Sequence, residues 1–101
     1  MADVESHIDL TRKLQTVEHD RIELVQQAVE VLRSIQSGNE GELTEALSGV
    51  VGLAYLLGVQ MGVPPHRIDH GIVNSFRIAA EVDDKRHTDL TEVIRYLSDR
   101  Y

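Results

Sequence analysis

Several side chains in this sequence have the types and spacings that could do chemistry. Glu42 and Glu45 stand one helical turn apart, and Glu18, Asp20 and Glu23 crowd an earlier stretch. Carboxylates presented by two facing helices can hold Mg²⁺ through oxygen, and a cation so held can bind a nucleotide's phosphates. A structural account competes with this one. Acids in a first helical turn suit the helix dipole, and the others can simply decorate a solvated face. His66 and His70 lie four residues apart with Asp69 beside them, the spacing of the paired histidines in a zinc-protease helix. That motif needs Glu after the first His as general base, whereas Arg67 occupies the place here and opposes a cation. Polar residues at a helix start are the simpler reading of these histidines. Arg21, a charge inside an otherwise apolar stripe, and Asn74 on the third helix are the candidate ligand-binding residues. The chain has no cysteine, which excludes disulfides and thiolate metal sites. It has no glycine-rich phosphate loop, and no Ser-His-Asp set can be singled out.

The elements that must position these groups read as helices throughout. From about Ser6 to Gln36 there is no Gly or Pro, and Leu10, Leu14, Val17, Leu24, Ala28, Val31 and Ile35 recur in alternating steps of four and three. Arg21 fills the one missing place. Such a heptad stripe predicts a helix lying along another helix. A second apolar line, Ile22, Val25, Val29 and Leu32, widens the stripe, so the second half should be buried on more sides. The buried charge expected at Arg21 calls for a carboxylate on a facing helix, or else a shallow cleft that takes an anionic ligand. Gly38 is placed to end the helix, and Asn39 with Glu42 three residues on resembles a capping box that starts the next.

From Ala46 to Val63 no charged residue occurs. A membrane span is the rival reading of this run, but Ser48, Gln60 and four glycines interrupt it, and no basic residues or Trp flank it. A helix apolar all round must be touched on every face, and one small domain has too few other helices for that. A second copy of the chain is therefore expected to supply the missing face. Gly49, Gly52 and Gly58 each cost about 1 kcal/mol relative to Ala inside a helix. Close approach of a neighbouring backbone, within the chain or from a second copy, would offset that. Pro64 and Pro65 end this helix and open the third, with an apolar face of Ile68, Ile72, Phe76 and Ala79, and Val82 a turn beyond. After the charged connector Asp83 to Arg86, Thr88 is the expected N-cap of a final helix with the stripe Leu90, Val93, Ile94, Leu97 and Tyr101.

Composition narrows the function classes. A single domain spanning 1–101 is expected, with a 42% hydrophobic content and only 4% aromatic residues, hence an aliphatic core. The net charge of -7 disfavours nucleic acid as a partner, since phosphate binding needs clustered Lys and Arg. The acidic start, Met1 to Glu5, lacks the pattern of a signal peptide, and a cytoplasmic location with no membrane partner is expected.

The run Glu42-Leu43-Thr44-Glu45-Ala46-Leu47 through Tyr55-Leu56-Leu57-Gly58, then Met61-Gly62-Val63 and Arg67-Ile68-Asp69, resembles the short MazG-like proteins. Asp89-Leu90 through Arg95-Tyr96-Leu97 is similar to their closing segment. These proteins belong with the all-α nucleoside triphosphate pyrophosphohydrolases. The resemblance covers most of the chain, resting on apolar pattern and a few small residues. It implies chains that dimerise through their long helices. In active members of the wider superfamily it implies a Glu-x-x-Glu on one helix and a Glu-x-x-Asp on the next. These acids bind Mg²⁺, which activates water for attack between the α- and β-phosphates.

Here the first motif falls near Glu23-Leu24-Val25-Gln26, where Gln replaces the second acid. With Gly62-Val63 set on the family's turn, the second falls on Ala46-Leu47-Ser48-Gly49, where both acids are missing. A register four residues earlier would use Glu42 and Glu45 but misplace the turn. The expectation is thus an all-α, antiparallel helical bundle of three long helices plus a short C-terminal one, dimeric or higher. Mg²⁺ would sit at Glu23, Glu42 and Glu45 if the acidic site functions. The expected role is that of a MazG-like protein, with a nucleotide as ligand and with catalysis weak or lost. The alternative is a non-catalytic acidic helical interaction or regulatory module.

Overall fold

The computed structural model describes the backbone of residues 2–101 and the side chains of residues 8–101. Four helices make it up: α1 (Ala2–Ser37), α2 (Glu40–Gln60), α3 (Pro65–Val82) and α4 (His87–Ser98), with no strand among the described residues. The fold is all-α, three long helices and a short C-terminal one. Two compact units divide the chain, Met1–Gly62 and Val63–Tyr101, and each is an antiparallel helix pair.

Local chemistry sets the helix ends. Gly38 takes a positive φ of 73°, and its N–H reaches back to the Ser34 carbonyl at 3.1 Å, closing α1 where glycine was expected to. Asn39 is the N-cap of α2, its side-chain oxygen accepting the Glu42 N–H at 2.9 Å. Gly62, with φ 83°, follows α2, and Pro65 opens α3. The expected cap at Thr88 is not used. The cap is Arg86, two residues earlier, so α4 begins at His87, and Asp83 organises the turn by accepting the Arg86 backbone N–H at 3.2 Å and its Nε–H at 2.7 Å.

The first unit differs from expectation in which residues α1 buries. Toward α2 it turns Val17, Leu24 and Val31, half-buried, and between them Asp20, Gln27 and Ser34, of which Asp20 and Ser34 are buried. Each trio repeats every seven residues, so the seam is a true heptad with one apolar and one polar row. The remaining apolar residues face outward. Leu14 is 61% exposed, Val25 63% and Leu32 68%, and Ile35 and Ile22 are exposed as well. The wider stripe therefore does not mean deeper burial within the chain.

α2 is likewise far from enclosed: Ala46 is its one buried residue, and Leu47, Val51, Leu56 and Val59 are exposed. By length and composition alone it could cross a membrane, yet Glu40, Glu42 and Glu45 lie within it. In the second unit Val73, Leu90 and Leu97 form the core with Ile68, Ile72, Phe76 and Ile94 half-buried, whereas Val82 points outward at 82% exposure.

Candidate functional site

The acids of the second helix open onto a cleft within the first unit, of about 530 Å³, lined by Gln27, Glu30, Ser34, Glu42, Glu45, Ala46 and Gly49. The Asn39 cap fixes the start of α2, so Glu42 and Glu45 leave its first two turns along one edge. Glu30 faces them from α1 and is paired with Arg33 at 2.8 Å. Ala46 and Gly49, the α2 positions on which the resemblance would set the Glu-x-x-Asp motif, also line the cleft.

Across from Gly49 stands Gln27. A Cβ built on Gly49 would lie 2.8 Å from Gln27 Oε1, 3.0 Å from its Cδ and 3.2 Å from its Cγ. The α1 register that faces Ala46 and Gly49 is therefore Gln27-Ala28-Val29-Glu30, one turn further on than the Glu23-to-Gln26 register expected from sequence. Mg²⁺ wants six oxygen ligands in near-octahedral order, several of them carboxylates or waters. At these four register positions one carboxylate remains, Glu30, and it already has an arginine. Set on the expected register, these positions do not supply the acid set of active superfamily members, and Glu42 and Glu45 add carboxylates to the same cleft outside that register.

Glu23 is brought together with other residues. His19 Nε2 meets its carboxylate at 3.5 Å, and ligand atoms of His19, Asp20 and Glu23 all lie within 4.8 Å of one another. That cluster is consistent with a degenerate metal motif, but it sits apart from the lining of the Glu42 and Glu45 cleft. Asp20, its buried member, accepts a hydrogen bond from Gln60 Nε2 of α2 at 2.7 Å. The three expected metal ligands therefore fall into two places.

Arg21 is a correction. It is exposed and paired with Glu18 on its own helix at 2.5 Å, so no facing helix supplies its carboxylate. With Leu10, Leu14, Val17 and Met61 it edges a shallow, mostly apolar groove of about 650 Å³. The facing carboxylate interaction belongs instead to Asp20, one residue earlier.

Asn74 lines a pocket of about 320 Å³ in the second unit, with His70 and Arg77 at helical spacing on α3 and Tyr101 across from them. Its floor is Asp69, only 1% exposed, which accepts the Tyr101 hydroxyl at 2.6 Å. The His70 ring meets Tyr101 edge-on at 5.5 Å and His66 at 6.1 Å. Asp69 is thus turned inward, and it does not form a three-ligand cluster with His66 and His70. Sequence reasoning missed His70 and Arg77 as neighbours of Asn74, although the 70, 74, 77 spacing was there to be read. It also missed Gln27, which no charge or motif marks.

No curated protein and no solved structure matched the chain. Residues 10–93 match the family described as the MazG-like family. With most of its length inside that match and an all-α architecture, this chain belongs to the MazG-like family.

Proposed function

We propose that this chain is a MazG-like protein, related to the nucleoside triphosphate pyrophosphohydrolases, in which metal-dependent hydrolysis is weak or lost. One observation carries the reading: Gln27 rests on Gly49 where the superfamily's acids would converge on a cation. A triphosphate brought to that cleft without metal would meet Glu42 and Glu45 unscreened, and like charges at close range repel. The pocket around Asn74 offers an anionic ligand two donors, the Arg77 guanidinium and the Asn74 amide, above a floor where the Tyr101 hydroxyl already donates to the Asp69 carboxylate. Cytoplasmic location and self-association through α2 belong to the same proposal.

The test is a pyrophosphate-release screen over nucleoside triphosphates with Mg²⁺ or Mn²⁺. It compares the wild type with Glu23→Gln, with Glu30→Gln and with the Glu42→Gln, Glu45→Gln double variant. Turnover near background in all of them is expected. Robust metal-dependent turnover that any of these changes abolishes would overturn the reading.

The second reading, a non-catalytic interaction module, draws support from an apolar groove on α2. Thr44, Leu47, Ser48, Val51, Gly52 and Tyr55 line it, and among the described residues nothing beyond Gly52's chain neighbours and its own helix backbone lies within 4 Å of a Cβ there. The groove gives such a module somewhere to bind that does not depend on the cleft.

A further inference from the structure

We infer that Gln27 and Gly49 are an interdependent pair that has taken the metal's place at the cleft of the first unit. The helix pair closes there without a divalent cation, and restoring acids on α2 alone cannot bring one back. The inference rests on reading this cleft as the position of a lost metal site and adds what now fills it.

Three consecutive atoms of Gln27, from Cγ to Oε1, lie within 3.2 Å of a Cβ at Gly49. Turning the terminal amide relieves only the Oε1 contact, so Cδ and Cγ must also give by a few tenths of an ångström and the side chain has to shift within its seat. Gln27 belongs to the polar row of the α1 seam, between Asp20 and Ser34, and is itself half-buried. Shifting there loosens the packing of the helix contact. Any side chain at position 49 competes with Gln27, and an acid at 49 competes twice, through its Cβ and through its carboxylate facing the Gln27 carbonyl oxygen. Glycine costs helix stability in an interior position, and contact with Gln27 across the seam accounts for its presence here. Gly71 on α3 lacks that contact, with nothing within 4 Å of its Cβ position.

Thermal melts and Mn²⁺ titration together test the pair. Gly71→Ala measures the unhindered gain of replacing a helical glycine, a few degrees in Tm. Gly49→Ala in the wild type should give no gain or a loss, whereas Gly49→Ala added to Gln27→Ala should give a gain of the Gly71→Ala size. For the metal, Mn²⁺ alone is followed by its free-ion spin resonance signal. The wild type and the Ala46→Glu, Gly49→Asp variant should leave millimolar Mn²⁺ free, and adding Gln27→Glu should make the variant bind it.

Equal Gly49→Ala gains in both backgrounds would overturn the inference. So would Mn²⁺ binding by the two-acid variant with Gln27 in place, or no binding after Gln27→Glu is added. Wild-type turnover of nucleotides would instead sink the proposed function and leave the coupling between the two residues standing.

Discussion

Asp69 and Tyr101 show how one contact can change the meaning of a residue. In sequence Asp69 lies between two histidines and reads as a third ligand. On the helix, positions 69, 73, 76 and 80 share the face toward α4, so its carboxylate enters the core beside Val73. There it needs donors, and the Tyr101 hydroxyl is one. The bond raises the Tyr101 pKa above its ordinary value, first through the hydrogen bond to Asp69, then through desolvation and the carboxylate's charge. A tyrosine pKa raised by folding stabilises the fold fully below the unfolded value of about 10 and loses that contribution as pH rises through the folded value. Tyr101→Phe should therefore lower Tm at neutral pH, and the gap from wild type should shrink and close at strongly alkaline pH. Melts of both proteins across that range check it; a gap that stays constant would show that the hydroxyl bond contributes nothing.

At the scale of elements, helix boundaries were legible and helix faces were not. Gly38, Asn39 and Pro65 act through their own backbones and nearest neighbours, so their effect can be read locally. Which row of α1 meets α2 depends instead on a choice among rows, because Leu14, Val25 and Leu32 are as apolar as Val17, Leu24 and Val31. The small floor of α2 at Ala46 and Gly49 admits the long Gln27 side chain, and Gln60 supplies a donor to Asp20. A polar row thus packs while apolar rows stay outside, and no periodicity argument would have chosen it. For the same reason the candidate site was legible in its acids, Glu42 and Glu45, and not in Gln27.

The Asp20–Gln60 bond is testable by swapping its members. Gln60→Leu removes the donor from a buried carboxylate and should cost about 1–3 kcal/mol in urea unfolding. Replacing both, Asp20→Leu with Gln60→Leu, should recover most of that, because an apolar pair also relieves the Gln60 Oε1 atom, which is buried with no hydrogen-bond partner. A single substitution without cost would mean the two side chains do not hold the seam.

For the whole molecule the open question is what covers its apolar rows. α1 exposes Leu14, Ile22, Val25, Leu32 and Ile35, and α2 exposes Leu47, Val51, Leu56 and Val59. Monomeric proteins rarely leave contiguous apolar patches larger than a few hundred Å² open to water, and rows on two long helices are well placed to form one. Burial against a second copy would remove them without adding a new kind of surface, and self-complementary faces are what a two-fold assembly requires. Because each chain carries a net charge of -7, association driven by these rows should strengthen with salt, which screens the repulsion. Sedimentation equilibrium at micromolar concentration should give a mass of at least two chains, rising rather than falling with added salt. Gly52→Leu locates the contact. Among the described residues of one chain nothing outside the helix's own backbone and Gly52's chain neighbours lies within 4 Å of a Cβ there, so the variant should keep its helical circular dichroism. If a second copy seats on the α2 groove, the same leucine overpacks the contact and the mass drops toward one chain. Leu47→Glu with Val51→Glu should do likewise through buried charge. Unchanged mass in these variants, with assembly lost on Ile22→Glu and Val25→Glu, would move the interface to α1; a wild type that sediments as a single chain would refute assembly altogether.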